Sequence, residues 1–270
     1  MLPFFFDIQA FFKFATVTLL SSWIVLLLPS RNRLNNQSEH PEGRPWMSSH
    51  GQHAFIAPGQ GDVRSPCPAL NTLANHGYIN RSGKGISASS LIDSLTSIYH
   101  LSLPLATTLV AGGFLSCSSG DIGEGISLHA LAAHNKIEHD ASLVHDDALP
   151  GAKFAPTQVN QTLINDLLHT YPDGLGIDDL AEARRSREMM LLQDKKPKLN
   201  TFHEEIGHGE AALTWLLMKD NRGVVKPKTL RQWYGIETFP ETYVIPTEEI
   251  SLEMARTVSA EIGRIMKRHS

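Results

Sequence analysis

The sequence contains little cysteine and no strong excess of charge. Its 270 residues include only Cys67 and Cys117, which could form one disulfide at most, so the chain is not a disulfide-stabilised scaffold. The 24 Lys and Arg and 28 Asp and Glu residues give a formal net charge of −4. No basic field and no long run of one charge is present, which argues against a nucleic-acid partner and a charged disordered tail.

Alternating strand patterns and internal repeats are also missing. The 41% of hydrophobic residues is sufficient for one sizeable core in a chain of this length. Their spacing favours helices, so we predict a mainly α fold with a single compact helical domain at 58–270. A linker rich in Asn, Ser, His, Pro and Gly precedes it at 31–57, after a hydrophobic anchor or signal segment at 1–30.

The N-terminal segment is apolar, with an uninterrupted neutral run from Phe14 to Pro29. A bilayer-spanning helix needs about 20 apolar residues, and no A-x-A-like cleavage site follows the run. Arg31 and Arg33 favour a cytosolic position for the residues that follow. Three glycosylation sequons favour the lumen or exterior, at Asn36, Asn80 and Asn160. We predict membrane association through this single segment, with secretion as the alternative.

Helical spacing or capping residues occur in several parts of the domain. We predict helices at 91–115, 126–140, 158–170, 178–193, 209–219 and 247–265. Pro104 should kink the first or divide it in two, and Gly207 and Gly209 should break the chain before the fifth. The last is the clearest, with an apolar face formed by Ile250, Met254, Val258, Ile262 and Ile265.

The segment Ser-Pro-Cys-Pro-Ala-Leu-Asn-Thr-Leu-Ala-Asn-His-Gly at 65–77 is the most informative. Pro66 disfavours helix before it, Pro68 suits a first helical turn and Gly77 suits a stop. The pattern predicts a short helix with Cys67 at its N-terminus, where backbone N–H groups and the helix dipole lower the pKa of a thiol. Such a thiolate suits haem iron, although an unreactive buried cysteine explains the residues equally well.

The longer stretch from Asp62 to Ile79 resembles the proximal signature of the chloroperoxidase and unspecific peroxygenase family. A thinner likeness covers 58–239. It implies haem b bound by Cys67, with Pro66 and Pro68 beside it in the cofactor site. It also implies a helical haem-thiolate enzyme that uses hydrogen peroxide to oxidise a small, apolar organic substrate, in secondary metabolism for example.

A second segment, Glu-His-Asp-Ala-Ser at 138–142, is by itself more typical of a solvated helix end. It resembles the family's second signature, which implies that Glu138, His139 and Ser142 hold Mg²⁺ or Mn²⁺ beside a haem propionate. The resemblance also implies that His139 is the charge partner of the catalytic acid. Asp147 stands where a carboxylate helps to orient that histidine.

Peroxide chemistry also needs a group that moves a proton between the two peroxide oxygens. Glu210 is our candidate, because it should open an apolar helix after a glycine-rich turn, as the family's acid–base Glu does. Glu205 is the reserve, and without the other signatures Glu210 would be an ordinary first-turn acid. His203 stands where the long branch of the family has Arg, so the chain resembles the short branch.

The residues are also compatible with two other functional classes. The first is a non-catalytic haem-binding member of the same family. The second is a zinc hydrolase, since His203 and His208 resemble part of an H-E-x-x-H motif, but their spacing of five places them on different helix faces. His134 and Glu138 are one helical turn apart and form either a metal-binding pair or, more simply, a surface pair.

Overall fold

The computed structural model describes residues 53–117 and 124–268, so the hydrophobic segment at 1–30 lies outside the described residues. Within these ranges the fold is mainly α, as predicted, and pairing between extended segments is limited to isolated bridges. We number the α-helices as α1 Pro68–Asn75, α2 Ala88–Ile98, α3 Leu103–Cys117, α4 Gln161–Thr170, α5 Ile177–Gln193, α6 Thr201–Met218, α7 Pro227–Leu230 and α8 Leu252–Arg268. A 3₁₀ helix spans Leu128–Ala132, and a π-helical turn spans Arg231–Ile236.

Polar side chains fix where several helices begin. The hydroxyl of Ser87 accepts the Ser90 N–H at the start of α2. The side-chain oxygens of Asn160 and Asn200 accept backbone N–H groups at the starts of α4 and α6. Such caps satisfy donors that have no partner inside the helix, typically stabilising it by about 1 kcal/mol. The predictions for 158–170 and 178–193 are confirmed to within a few residues.

The predicted helix at 91–115 is two helices, α2 and α3, because the chain turns between Ile98 and Leu103. Pro104 lies in the first turn of α3, where its missing N–H costs nothing, and it does not kink a longer helix. The predicted helix at 126–140 is wrong beyond the 3₁₀ turn. After this turn the backbone pairs with a later segment instead: the N–H of His134 donates to the carbonyl of Lys153, and Ala133 bridges Phe154. Before the turn, Ile86 and Ile126 exchange two hydrogen bonds.

The prediction that α6 begins only at Gly209 is also wrong. The helix starts at Thr201 and passes through Gly207 and Gly209 without a break. Gly207 allows the guanidinium of Arg184 on α5 to pack against the helix, because an added Cβ would lie 2.5 Å from Cζ of that arginine. Gly263 of α8 gives similar room to a histidine ring of α6, and these contacts keep α6 close to both neighbours.

The core lies mainly where α6 packs on α5 and α8, and where α2 packs on α3. Trp233 and Tyr99 are fully buried between the π-helical turn and α2, with ring centroids 5.7 Å apart in an edge-to-face arrangement. Ile262 and Ile265 are buried on α8, as predicted from the spacing. Among the described residues, no helix combines the length and apolarity that a bilayer span requires.

Candidate active site

Cys67 is the N-cap residue of α1, with Pro68 in the first turn, so the helix predicted from the two prolines is confirmed. Its backbone N–H donates to Oγ of Ser65 over 3.2 Å, and its carbonyl accepts the N–H of Asn71 over 3.1 Å. Gly77 follows the helix with a φ of 70°, a conformation that favours glycine. The cysteine is therefore held in one position by short-range contacts on both sides.

The expected lowering of the Cys67 pKa is wrong for the protein without a bound metal. Burial is the main effect that raises the pKa of this thiol, the negative charges of Glu210 and Glu237 add to it, and the resulting pKa is about 11. Hydrogen bonds from the backbone N–H groups of Leu70 and Ala69 act in the opposite direction, as the helix position predicts. Desolvation is the largest of these effects, so the net shift of the thiol pKa is upward.

His139 and Glu210 come together although 71 positions of sequence separate them. Nε2 of His139 lies 3.6 Å from Oε2 of Glu210, with the imidazole 1% exposed and the carboxylate 54% exposed. Nδ1 of the same ring bonds the carbonyl of Asp140 over 2.6 Å, while Nε2 is buried without a hydrogen-bond partner. Glu210 lies within α6 and does not open it, which corrects the sequence-based expectation.

The loop that carries His139 is attached to α5 by two arginines. Arg184 donates to the carbonyl of Ala141 over 2.6 Å, and Arg187 donates to the carbonyl of Ser142 over 2.6 Å. The first of these arginines is 1% exposed, so its contacts are protected from water. These hydrogen bonds from α5 thus fix the position of the loop, and with it the position of the imidazole relative to α6.

Asp147 contacts the same loop and not the imidazole. One of its oxygens accepts the N–H of Ala141 over 2.8 Å and lies 3.2 Å from Nη2 of Arg187. The other lies 3.1 Å from Nζ of Lys196. Any influence of Asp147 on His139 therefore passes through the backbone of residues 140 and 141.

A possible cation group lies beside this loop, with a composition that differs from the predicted one. Ligand atoms of His134, Glu138 and Asp140 lie within 4.8 Å of one another. The two nitrogens of His139 and the carbonyl of Ser142 have the other contacts described above. Assignment of Glu138, His139 and Ser142 as cation ligands stays a prediction.

His134 and Glu138 form a largely buried pair and not a surface pair. Nδ1 of His134 lies 2.8 Å from Oε2 of Glu138, and the two side chains are 16% and 7% exposed. Burial raises the pKa of Glu138, while the hydrogen bond from His134 lowers it. A carboxylate held in this way is a hard oxygen ligand with limited access to water.

The two histidines of the zinc alternative point in different directions. Nε2 of His203 lies 3.3 Å from the carbonyl of Lys136, while the ring of His208 packs beside Gly263 of α8. They share no metal group within the described residues. Two surface cavities of about 370 and 240 Å³ lie elsewhere, lined in part by Asp179 and by Thr242, and neither includes Cys67 or Glu210.

Sequence reasoning did not single out four side chains around Cys67 and His139. Arg184 is one of three arginines in a polar helix, and no local pattern indicates which is buried. Asn71 and Ser65 lie inside the quoted signature, but their hydrogen bonds to each other depend on the loop conformation. Tyr234 is buried where the charges of both Glu210 and Cys67 raise its pKa.

Comparison with known proteins identifies the family of the chain. The family model described as "Peroxidase, family 2" matches residues 53–248, which is most of the chain. The chain therefore belongs to this peroxidase family, the one that includes chloroperoxidase and the aromatic peroxygenases.

Three relatives illustrate the family. A chloroperoxidase of Leptoxyphium fumago is 26% identical over 206 residues, 69% of this chain and 55% of the relative. A dothistromin biosynthesis peroxidase of Dothistroma septosporum is 33% identical over 146 residues, 46% of this chain and 33% of the relative. An aromatic peroxygenase of Coprinellus radians is 28% identical over 164 residues, 54% of this chain and 61% of the relative. The chain thus spans between a third and three fifths of the length of these relatives.

Proposed function

We propose that this chain is a haem-thiolate peroxidase or peroxygenase that uses hydrogen peroxide to oxidise a small, apolar organic substrate. One observation carries the proposal: the Glu210 carboxylate, with His139 behind it, is close enough to Cys67 for its charge to raise the pKa of the thiol. A sulfur ligand and a proton-transfer pair are the two groups that this chemistry requires of a protein. Membership of the peroxidase family supports the same reaction class.

The residues fit a haem iron by their chemistry. Cys67 would hold the iron, with Pro66 and Pro68 fixing the loop on either side. The raised pKa of the free thiol is no obstacle, because a coordinating metal deprotonates a thiol outright and the N–H groups of Ala69 and Leu70 stabilise the anion. When bound, haem b supplies the oxidising chemistry with peroxide.

Glu210 supplies the proton transfer. Its carboxylate is more than half exposed, so a peroxide molecule can approach it directly. With haem bound, the carboxylate would accept a proton from one oxygen of hydrogen peroxide and donate it to the other as the O–O bond breaks, so that this second oxygen leaves as water. The remaining oxygen and its two oxidising equivalents would pass to the haem and the organic substrate. A positioned general acid–base of this kind contributes about 10²- to 10⁴-fold to a rate.

His139 acts on Glu210 from the buried side. Because Nδ1 is bonded to the carbonyl of Asp140, the free Nε2 is the nitrogen that faces the carboxylate. A proton on Nε2 makes the imidazole a cation beside the carboxylate and stabilises its ionised form. Arg184 and Asp147 keep the loop in the position that this contact needs.

The proposal also covers a cation site, the class of substrate and the location of the protein. We propose that Glu138 contributes to a Mg²⁺ or Mn²⁺ site, supported by the nearby ligand atoms of His134 and Asp140. One relative is named for dothistromin biosynthesis, which supports a substrate from secondary metabolism. Association with a membrane through residues 1–30, with secretion as the alternative, is proposed from the sequence alone.

The test is the carbon monoxide difference spectrum of the full chain, expressed with haem and reduced. We expect the red-shifted Soret band that a thiolate ligand gives. The Cys67→Ala variant should lose this band, while the matched Cys117→Ala variant should keep it, because Cys117 is the other buried thiol but lies at the end of α3.

A band that survives in both variants would show that the iron ligand lies elsewhere. Failure of the wild-type chain to take up haem would contradict the proposal as a whole. A normal band without peroxide turnover would favour the non-catalytic haem-binding alternative.

A further inference from the structure

A chain of hydrogen bonds connects Glu237 to the loop that carries Cys67. Oε1 of Glu237 accepts a hydrogen bond from Nδ2 of Asn71 over 2.5 Å. The same Nδ2 donates to the carbonyl of Ser65 over 2.6 Å, while Oδ1 of Asn71 accepts the N–H and Oγ–H of Ser65 over 2.9 and 3.1 Å. Oγ of Ser65 in turn accepts the N–H of Cys67. The Asn71 amide thus has all its donors and one acceptor atom occupied, and it transmits the position of Glu237 to the cysteine.

The backbone of Glu237 is fixed as firmly as its side chain. The residue ends the π-helical turn in a left-handed conformation, with a φ of 58°, which is unusual for glutamate. Nδ2 of Asn75 donates to its carbonyl over 3.0 Å, and Arg64 donates from Nε and Nη2 to Oδ1 of the same asparagine. π-Helical turns of this kind are frequent at functional sites.

Glu237 is a half-buried acid at the end of the π-helical turn, on a different element from Glu210 of α6. Burial raises the pKa of Glu237 to about 7, although the hydrogen bond from Asn71 and the charge of Arg64 act to lower it. The negative charge of the residue raises the pKa of the Cys67 thiol. Neither the proton-transfer pair nor the cation group uses Glu237, so its role is unassigned by the chemistry described above.

We propose that Glu237 is a positioning residue for the Cys67 ligand: through Asn71 and Ser65 it holds the loop in place, and its protonation controls how strongly the sulfur donates charge to a bound iron. This inference rests on the proposed function. A neutral Glu237 keeps the loop fixed without a second anion beside the thiolate. An ionised Glu237 adds that anion and stabilises the more positive state of whatever cation the sulfur holds.

Few other groups near Glu237 can titrate in the same range. Among the described residues, Arg64 and Cys67 are the charged or ionisable groups that interact with it. His76 reaches the neighbouring Thr238 through a 3.0 Å contact between Nε2 and Oγ1, but burial lowers the pKa of this histidine, so it is neutral near pH 7. A change centred near pH 7 would therefore point to Glu237.

The first test is the ferric–ferrous potential of the haem-loaded full chain as a function of pH. We expect the potential to fall as pH rises through about 7. The Glu237→Gln variant keeps an oxygen that can accept the hydrogen bond from Asn71 but carries no charge. The step in the potential near pH 7 should therefore be absent in this variant. Glu241→Gln is the control, since Glu241 is an exposed acid four positions away that pairs with Lys228, and it should leave the step unchanged. A step of the same size in Glu237→Gln would overturn the proposal.

The second test needs no haem and separates this inference from the proposed function. In a Cys117→Ala background, the rate of Cys67 alkylation by iodoacetamide is measured at pH 8.5 in the full chain. The charge of Glu237 is the smallest of the effects that raise the thiol pKa, so its removal should raise the thiolate fraction, and with it the alkylation rate of Glu237→Gln, by about two- to threefold. An unchanged rate would overturn the coupling even if haem binds. A raised rate in a chain that binds no haem would support the coupling and contradict only the function.

Discussion

His139 places an unbonded, buried Nε2 at 3.6 Å from Oε2 of Glu210, and the two side chains differ greatly in exposure. The distance is too long for a hydrogen bond, but a protonated imidazole at this position would attract the carboxylate electrostatically. A buried, fixed imidazole next to an exposed carboxylate is suited to proton transfer. The histidine stabilises the ionised carboxylate, while the carboxylate is accessible to solvent and to the oxidant.

The first prediction concerns Glu210. Glu210→Gln should keep haem and lose peroxide turnover by about 10²- to 10⁴-fold, because the amide cannot accept the proton. Stopped-flow reaction of the ferric protein with peroxide measures the rate. Glu205→Gln is the matched control, since Glu205 is an exposed acid on the same helix, and it should react at the wild-type rate. A slow Glu205→Gln and a fast Glu210→Gln would reverse the assignment.

The second prediction concerns the coupling of His139 to Glu210. His139→Gln removes the group that can be positively charged and should slow turnover by about 10-fold or more, less than loss of the carboxylate does. If the histidine acts only through Glu210, the double variant should be no slower than Glu210→Gln alone. Rates from the four proteins give this comparison, and strictly additive losses would show that the two residues act independently.

The third prediction concerns the close packing of α5 on α6. An alanine Cβ at Gly207 would lie 2.5 Å from Cζ of Arg184, which is buried and held by its bond to Ala141, so the guanidinium has little room to move. Gly207→Ala should lower the free energy of unfolding by about 1 to 3 kcal/mol. Gly209→Ala, in the same helix with no atom within 4 Å of the new Cβ, should raise it by up to about 1 kcal/mol.

Urea unfolding of the two glycine variants measures both effects. If Gly207→Ala and Gly209→Ala changed the free energy of unfolding equally, the contact between Gly207 and Arg184 would not limit how closely α5 and α6 pack. Displacement of Arg184 should also reduce peroxide turnover in Gly207→Ala, since this arginine holds the loop that carries His139.

The fourth prediction concerns pH and the buried His145. Burial lowers the pKa of this histidine to about 4, and its Nε2 has no hydrogen-bond partner. The unfolded chain, with an ordinary histidine pKa near 6.5, binds more protons than the folded chain between pH 6.5 and 4. Stability that is present above pH 6.5 should therefore be lost as pH falls through this window, by roughly 3 kcal/mol in all.

His145→Gln should flatten this acid-side loss. His169→Gln is the control, because His169 is an exposed histidine near the end of α4 and should leave the pH dependence unchanged. Unfolding free energies at pH 4.5, 5.5 and 7 make the comparison. The same slope in wild type and His145→Gln would indicate that other groups cause the acid sensitivity.

Local patterns were most informative where neighbouring residues decide the structure. The two prolines and Gly77 were enough to place a short helix behind Cys67, because each restricts the backbone at its own position. The spacing of Ile262 and Ile265 was likewise enough to identify the buried face of α8. The same local reasoning failed at 126–140, where pairing with distant backbone replaced the expected helix.

The sequence by itself determined the family, the mainly helical class and the identity of the candidate ligand and acid, since these depend on residue types within short segments. Tertiary structure decided the rest. It carried α6 through Gly207 and Gly209 without a break, and at Gly207 the packing of Arg184 leaves no room for a side chain. It also raised the pKa of Cys67, because burial outweighs the helix N-terminus. It also joined Glu237 to the loop of Cys67 through a hydrogen bond with Asn71, which is 166 positions from Glu237, so only the folded chain creates this contact.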